Sequence, residues 1–321
     1  MKTPLFWYQP PSFLSTLLSP LGWLYGKGVE FLRTRKKMYH FSIPILSVGN
    51  IVSGGAGKTP TALALAQLLQ EKGINVHFVT RGFGGSEQGP LKVDPNSHSP
   101  LDVGDEPLLL AQLAPTWVAK ERPLGVQKAI DEGAHCIILD DGHQTTSLAK
   151  NISFVVVDHL QGFGNGYVIP AGPLRENLTK GLKRSDALIT IGAGDLPTQH
   201  LCFRAHSAPH PFPCPVNRVI AFCGIGFPQK FYKTLESLSV DLIATESFPD
   251  HYQYKEEDLQ RLYKLATREK AALITTRKDW VKIPLSWRRL LYVLDITIQF
   301  EDPERLYHFI LEKIPSLKEK S

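Results

Sequence analysis

The stretch from Ile45 to Gln70 constrains the fold of this chain more than any other. Ile45, Leu46 and Val48 form a short apolar run of the kind that makes a buried strand. A glycine-rich turn follows and opens directly into an Ala/Leu-rich helical run from Thr61. Strand, glycine turn and helix in that order make a phosphate-binding loop. Gly54, Gly55 and Gly57 free the backbone for conformations closed to other residues, so successive N–H groups can aim at one anion beside the positive end of the helix. Lys58 stands where an ammonium reaches the β- and γ-phosphates, and Thr59 where a hydroxyl ligates Mg²⁺. The usual G-x-x-x-x-G-K-[ST] pattern asks for glycine at position 52, and this chain has Val52. The alternative is a glycine-rich turn with no ligand; Gly-Lys-Thr at a helix start behind a hydrophobic strand favours a nucleotide.

From Ile45 onward, strand and helix patterns alternate. A strand to Asn50, a helix to about Glu71 stopped by Gly73, and a strand from Asn75 to Thr80 make a βαβ unit. Further strands over 117–119, 136–140, 152–158 and 187–191 extend the same sheet, and the last is expected to close it. Residues 194–217 shift toward proline and polar groups and mark a domain boundary. Beyond it come strands over 218–223, 271–276 and 290–295 and helices over 228–238, 255–270 and 302–313. The expected fold is α/β: a P-loop NTPase-like, mostly parallel sheet with flanking helices, a second smaller α/β domain, and an N-terminal amphipathic helix at a membrane interface. The corresponding segments are 1–40, 41–205 and 206–321. A chain of 321 residues fits two cores, since single cores stop growing near ~250 to 300 residues.

The net charge of +5 lies entirely in residues 1–40, where Lys2, Lys27, Arg33, Arg35, Lys36 and Lys37 face Glu30 alone. A nucleic-acid binder would spread its basic groups over a folded face, so nucleic acid is excluded as a partner. Apolar residues fill the front of segment 12–38 and cations its back, with Ser19 and Pro20 suited to start a helix. Pro10, Pro11 and Pro20 interrupt it too often for a spanning helix, and no A-x-A-like cleavage site follows. An interfacial helix fits, its apolar side at the headgroup boundary and Arg33 to Lys37 against anionic lipid. The alternative is a helix packed on its own domain. Cys136, Cys202, Cys214 and Cys223 form no C-x-x-C pair and read as reduced cysteines of a cytosol-facing protein.

Five further segments carry chemistry. His135-Cys-Ile-Ile-Leu-Asp-Asp is a hydrophobic strand ending in two carboxylates, the Walker B arrangement. Asp140 would hold Mg²⁺ with Asp141 alongside, and behind a phosphate loop this implies Mg-ATP or Mg-GTP. Arg81 follows a strand at the edge where open α/β sheets bind ligands, which places it to face phosphate. Asp105 is suited to cap the helix that follows it. The loop from Gly162 to Asn177, with four glycines, contains Arg175 and Glu176, which by themselves read equally as a surface ion pair. His251 sits in a polar loop, Ser247-Phe-Pro-Asp-His-Tyr, where a free surface histidine is the simpler reading.

Together these segments resemble the tetraacyldisaccharide 4'-kinase family, the lipid A 4'-kinases of Gram-negative bacteria. The resemblance runs in order over most of the chain. It is carried by Val48-Gly-Asn with Gly54-Gly-Ala-Gly-Lys-Thr-Pro, Thr80-Arg-Gly-Phe-Gly-Gly, Gly104-Asp-Glu-Pro and Leu139-Asp-Asp-Gly-His-Gln. Phe163-Gly-Asn-Gly with Pro170-Ala-Gly-Pro-Leu-Arg-Glu, Phe222-Cys-Gly-Ile-Gly, Asp250-His-Tyr and Thr275-Thr-Arg-Lys-Asp complete it. The resemblance implies transfer of the γ-phosphate of ATP to the 4'-hydroxyl of an acylated glucosamine disaccharide 1-phosphate lipid, giving lipid IVA on the cytoplasmic face of the bacterial inner membrane. It also implies Lys58 and Thr59 on phosphate and Mg²⁺, with Asp140 and Asp141 around the metal. Arg81, Arg175 and Glu176 fall near nucleotide and substrate, and Asp105 with His251 is the pair that activates the sugar hydroxyl across a closing cleft.

This chain departs from the family pattern at Phe83 for a usual Tyr, His143 for Phe, and Arg277 for Glu. Two rival readings differ in class. A regulatory membrane NTPase would carry a lysine where Ser53 stands, or a D-x-x-G motif that His143 and Gln144 interrupt, and Thr276-Arg-Lys-Asp is only a near miss for guanine recognition. A lipid-binding scaffold with a vestigial loop would fail to bind Mg-ATP.

Overall fold

The apolar run at Ile45 is the middle strand of a nine-stranded sheet, and all five of its residues are buried. This computed structural model describes residues 4–34, 37–194, 196, 198–212, 214 and 216–319. Strands β1 (Ile45–Gly49), β2 (Val76–Thr80), β3 (Leu91–Lys92), β4 (Thr116–Val118), β5 (Cys136–Asp140), β6 (Ile152–Asp158), β7 (Ala187–Ile191) and β8 (Cys202–Pro209) belong to this sheet. Four more, β9 (Arg218–Cys223), β10 (Asp241–Ser247), β11 (Ala272–Thr276) and β12 (Tyr292–Leu294), form a smaller parallel sheet in the order β10-β9-β11-β12. The chain then returns to the large sheet in β13 (Ile296–Phe300), giving the order β13-β8-β7-β6-β1-β5-β2-β4-β3. The large sheet is parallel except at its margins, where β3 pairs antiparallel with β4 and β13 with β8.

Fully buried strands need cover on both faces, and helices supply it. Leu46 and Val48 face one core with Ala62, Leu65 and Leu69 of the helix Lys58–Glu71, joined by Leu306 and Ile310 of the helix Pro303–Lys313. Ile45 points to the opposite core, with Val126 and Ala129 of the helix Arg122–Asp131. Truncating a wholly buried leucine such as Leu65 or Leu69 to alanine would cost about 2–5 kcal/mol. The small sheet has its own two cores, one on each side.

Three expectations change. β8 lies inside the stretch expected as a domain boundary, so β7 does not close the sheet. β13 and the helix Pro303–Lys313, expected in a unit over 206–321, belong with the large sheet: β13 pairs with β8 over five residues and the helix buries Leu306 and Ile310. Proline content reads local backbone and is blind to an antiparallel partner ninety residues away. The N-terminal helix spans Phe13–Thr34 with Pro20 inside it, not at its start, and Ser12 and Ser15 exchange hydrogen bonds at its first turn. This helix lies close on the large unit, where a Cβ on Gly22 would stand 2.6 Å from the carbonyl oxygen of Val168. Trp7 Nε1 also donates to the carbonyl of Pro170 at 3.1 Å, and the Tyr8 hydroxyl to that of Ser53 at 3.3 Å. Phe13, Leu17, Leu21, Trp23 and Leu24 are left exposed on the same helix. Of the basic cluster expected to meet lipid, Arg35 and Lys36 lie outside the described residues, as does the side chain of Arg33.

Candidate active site

The turn after β1 is shaped by glycine and braced by a neighbouring loop. Gly54 and Gly57 have φ of +114° and +82°. Gly57 caps the helix Lys58–Glu71, and a Cβ there would meet Ile191 Cδ1 at 2.6 Å, so glycine is required on two counts. Val52 departs from the glycine pattern for a visible reason. It is buried and bridges Leu174, while Ser53 N donates to the Pro173 carbonyl at 2.7 Å and Arg175 N to that of Ile51 at 2.8 Å. The glycine-rich loop over 162–177 thus holds the phosphate loop by its backbone and delivers Arg175 to it.

Adjacent parallel strands bring the two halves of the phosphate end together. β1 and β5 pair with Val48 opposite Asp140, and the Thr59 hydroxyl donates to Asp140 Oδ2 at 2.9 Å. Burial, reinforced by the Glu106 charge, pushes the Asp140 carboxyl up to about 7, with Lys58 and the Thr59 hydroxyl pulling the other way. Asp141, in a left-handed conformation with φ of 48°, turns to Lys58 Nζ at 3.7 Å and Arg175 at 3.1 Å. Burial opposes its charge, but Lys58 and Arg175 outweigh it and hold Asp141 at about 2. Among the described residues no three His, Cys, Asp or Glu side chains converge as a metal cage. A hydroxyl and two carboxylates, all hard oxygens, instead suit Mg²⁺, which keeps waters and takes phosphate oxygens as its remaining ligands.

The second constellation spans both sheets. Gly104, not Asp105, is the N-cap of the helix Asp105–Leu110, and the Asp105 side chain is free to reach out of its own helix. It is buried, and both its oxygens lie against His251 Nδ1, at 3.1 and 3.2 Å, from a residue 146 positions away. Burial works to raise the Asp105 carboxyl, yet the hydrogen bond from His251 and the charge of Lys278 leave it below its ordinary value. His251 itself sits at φ of 59° in the loop after β10, with the Phe83 ring edge-on at 5.4 Å. That loop is fixed by buried Asp279, which accepts from Gly224 N and the Tyr254 hydroxyl, both at 2.9 Å, and pairs with buried Lys282 at 2.8 Å. The loop after β9 overlies the phosphate loop, since a Cβ on Gly226 would stand 3.6 Å from Gly55 N. Lys230 of the small unit pairs with buried Asp158 at the end of β6.

Two expected residues have other surroundings. Arg81 is exposed at the end of β2, close enough for its charge to be felt at Arg122. Glu176 is buried and pairs with Arg184, and Gln144 Nε2 links it at 3.3 Å to the Asn50 carbonyl at 2.8 Å. Sequence reasoning passed over Arg122, whose buried guanidinium donates to the carbonyls of Asp140 at 3.2 Å and Asp141 at 3.0 Å. Burial lowers that guanidinium to about 10. A cation in the first turn opposes the helix dipole, and that was the available signal. Lys278, Asp250, Glu106 and Lys230 were also passed over as site residues, the first three inside quoted motifs.

A family model described as tetraacyldisaccharide-1-P 4'-kinase matches residues 14–315. The chain belongs to that family. It is 43% identical over 315 residues to a tetraacyldisaccharide 4'-kinase of Jannaschia, covering 94% of this chain and 96% of the relative. A relative from Paramagnetospirillum magneticum is 44% identical over 316 residues, covering 95% and 97%. A solved structure of LpxK from Aquifex aeolicus in complex with ATP superposes with a TM-score of 0.76 at 28% identity, covering 94% of this kinase and 99% of that chain. The departures at Phe83, His143 and Arg277 have places in this kinase: Phe83 against His251, His143 packed over Gly49, and Arg277 paired with Asp295.

Proposed function

We propose that this tetraacyldisaccharide 4'-kinase takes the γ-phosphate of ATP with Gly54, Gly55, Gly57, Lys58 and Arg175, holds Mg²⁺ with Thr59, Asp140 and Asp141, and deprotonates the sugar 4'-hydroxyl with Asp105 and His251. The product class is lipid IVA of lipid A biosynthesis. The observation that supports this assignment most is the 3.1 Å approach of His251 to Asp105, which orients an imidazole carried by the unit whose Gly226 overlies Gly55. When bound, the metal ion neutralises charge on the β- and γ-phosphates. Lys58, 11% exposed, contributes a fixed positive charge in a site with little water, where it acts strongly on the transferring group. Asp105 accepts a hydrogen bond from Nδ1–H, so the Nε2 lone pair of His251 takes the proton from the 4'-oxygen as that oxygen attacks phosphorus. Arg81 stands at the rim toward nucleotide and substrate, and Glu176 supports the phosphate loop from behind through Gln144.

The acceptor is a lipid, and we place the kinase at the membrane surface through its N-terminal helix, on the cytoplasmic face of the inner membrane. No helix among the described residues is long and apolar enough to cross a membrane. Burying the exposed row Phe13, Leu17, Leu21, Trp23 and Leu24 at the headgroup boundary would bring the acceptor to the cleft. The test is incubation with labelled ATP and the acylated disaccharide 1-phosphate in detergent micelles. Label must appear at the 4' position and vanish when EDTA removes Mg²⁺; transfer to another position, or label independent of divalent metal, would overturn the assignment.

A further inference from the structure

One cation reaches the base pair from the small sheet and has no part in the chemistry above. Lys278 lies in the short helix Arg277–Trp280 after β11, whose N-cap Thr276 accepts from Asp279 N. Its Nζ stands 3.4 Å from His251 Nε2, 3.5 Å from Asp250 Oδ1, 3.8 Å from Glu106 Oε1 and 3.9 Å from Asp105 Oδ2. Burial disfavours that charge, but Glu106, Asp105 and Asp250 raise the Lys278 ammonium above its ordinary value, so it is charged at neutral pH.

An ammonium carries donors and no acceptor, so a hydrogen bond between Lys278 and Nε2 needs the ring nitrogen's lone pair there. A protonated ring would set N–H against N–H. The contact therefore selects the neutral ring with its proton on Nδ1, aimed at Asp105. We infer that Lys278 is a positioning residue for the base: its ammonium holds His251 as the Nδ1–H tautomer and occupies the seat at Nε2 that the sugar hydroxyl takes in the ternary complex. The inference rests on the proposed assignment of Asp105 and His251 as the base.

When the hydroxyl arrives, Lys278 yields that seat and remains held by Asp250 and Glu106. The 4'-oxygen then loses its proton to Nε2, forms a bond to the γ-phosphorus, and the bond from γ-phosphorus to the bridging oxygen breaks to release ADP. The groups facing the imidazole are Asp105 from the large unit, with Glu106 behind it, and Asp250 and Lys278 from the small unit, with Asp279 and Lys282 beneath. Lys278 is the nearest positive charge among the described residues. Removing it takes away the positive charge that stands 3.4 Å from Nε2.

The experiment compares Lys278→Gln, Lys278→Arg and His251→Ala with the wild type in the full chain, using ATP, Mg²⁺ and the acylated acceptor in micelles across pH 5.5–9. Lys278→Gln should lower kcat by ~10- to 100-fold with KM for ATP changed less than about twofold. The acid limb of kcat/KM should move to higher pH, and Lys278→Arg should restore its position. Lys278→Gln with an unmoved acid limb overturns the inference, whether kcat is normal or falls in step with the folded fraction. His251→Ala separates the two levels. If it is inactive while Lys278→Gln keeps the wild-type profile, only the role of Lys278 fails; if it turns over normally, the base assignment fails as well.

Discussion

Thr59 and Asp140 meet within one unit, the first on the helix that follows β1 and the second at the end of the adjacent parallel strand β5, whereas Asp105 and His251 meet only because a second sheet faces the first. The phosphate end is therefore assembled whenever the large sheet folds. The base end is assembled only when the small unit sits over the phosphate loop, with Gly226 near Gly55 and Lys230 on Asp158. Under the proposed assignment, nucleotide binding and hydroxyl activation are separable, and the second would be gated by how the units approach.

The largest effect expected is from Lys58→Ala or Asp140→Ala, each lowering kcat by at least ~10³-fold with melting close to wild type, because positioning and charge neutralisation supply most of the catalysis. Near-normal turnover in either variant would break the phosphate half of the comparison. Lys230→Met strands the buried Asp158 carboxylate and should cost about 1–3 kcal/mol, read by calorimetry. It should also lower turnover more than ATP affinity, since it loosens the units while leaving the phosphate loop intact. Replacing Leu17 and Leu21 with Glu should reduce sedimentation with anionic vesicles several-fold while leaving ATP binding unchanged. High salt should remove only part of the binding, because a screening length of ~10 Å at 0.1 M weakens cations and spares apolar burial.

A smaller effect concerns acid. The Asp105 carboxyl is depressed below its ordinary 3.8, so it contributes stability that is complete above that value and is lost as the pH falls through the depressed one. Asp105→Asn should flatten the acid side of the melting profile below about pH 4 and leave the neutral side parallel to wild type. Smallest of all, Phe83→Tyr should alter kcat by no more than the ~1 kcal/mol of one new hydrogen bond, because its ring already packs edge-on against His251.

Most of the phosphate end was legible in sequence, since its residues are local: a strand, three glycines, Lys58-Thr59 and a second strand ending in two aspartates. Strands β1, β2, β5, β6, β7, β9 and β11 were legible for the same reason, as short apolar runs bounded by turns. β8 and β13 were not, because β8 alternates in burial beside prolines and β13 is an antiparallel edge strand, and each is recognised only by its partner. At the base end Asp105 and His251 came from family resemblance; by themselves they read as a helix cap and a surface histidine. Lys278 gave no signal beyond its place in a quoted motif, because four partners on two units define it.

The most direct test of a base assembled across the two units is the turnover of Asp105→Ala, His251→Ala and the double variant, measured beside their melting curves. If the pair acts as one device, each single change lowers kcat by ~10²- to 10⁴-fold with little change in ATP affinity, and the double variant is scarcely worse than the more damaging single. Losses that multiply in the double variant, or a normal kcat in folded Asp105→Ala, would contradict it.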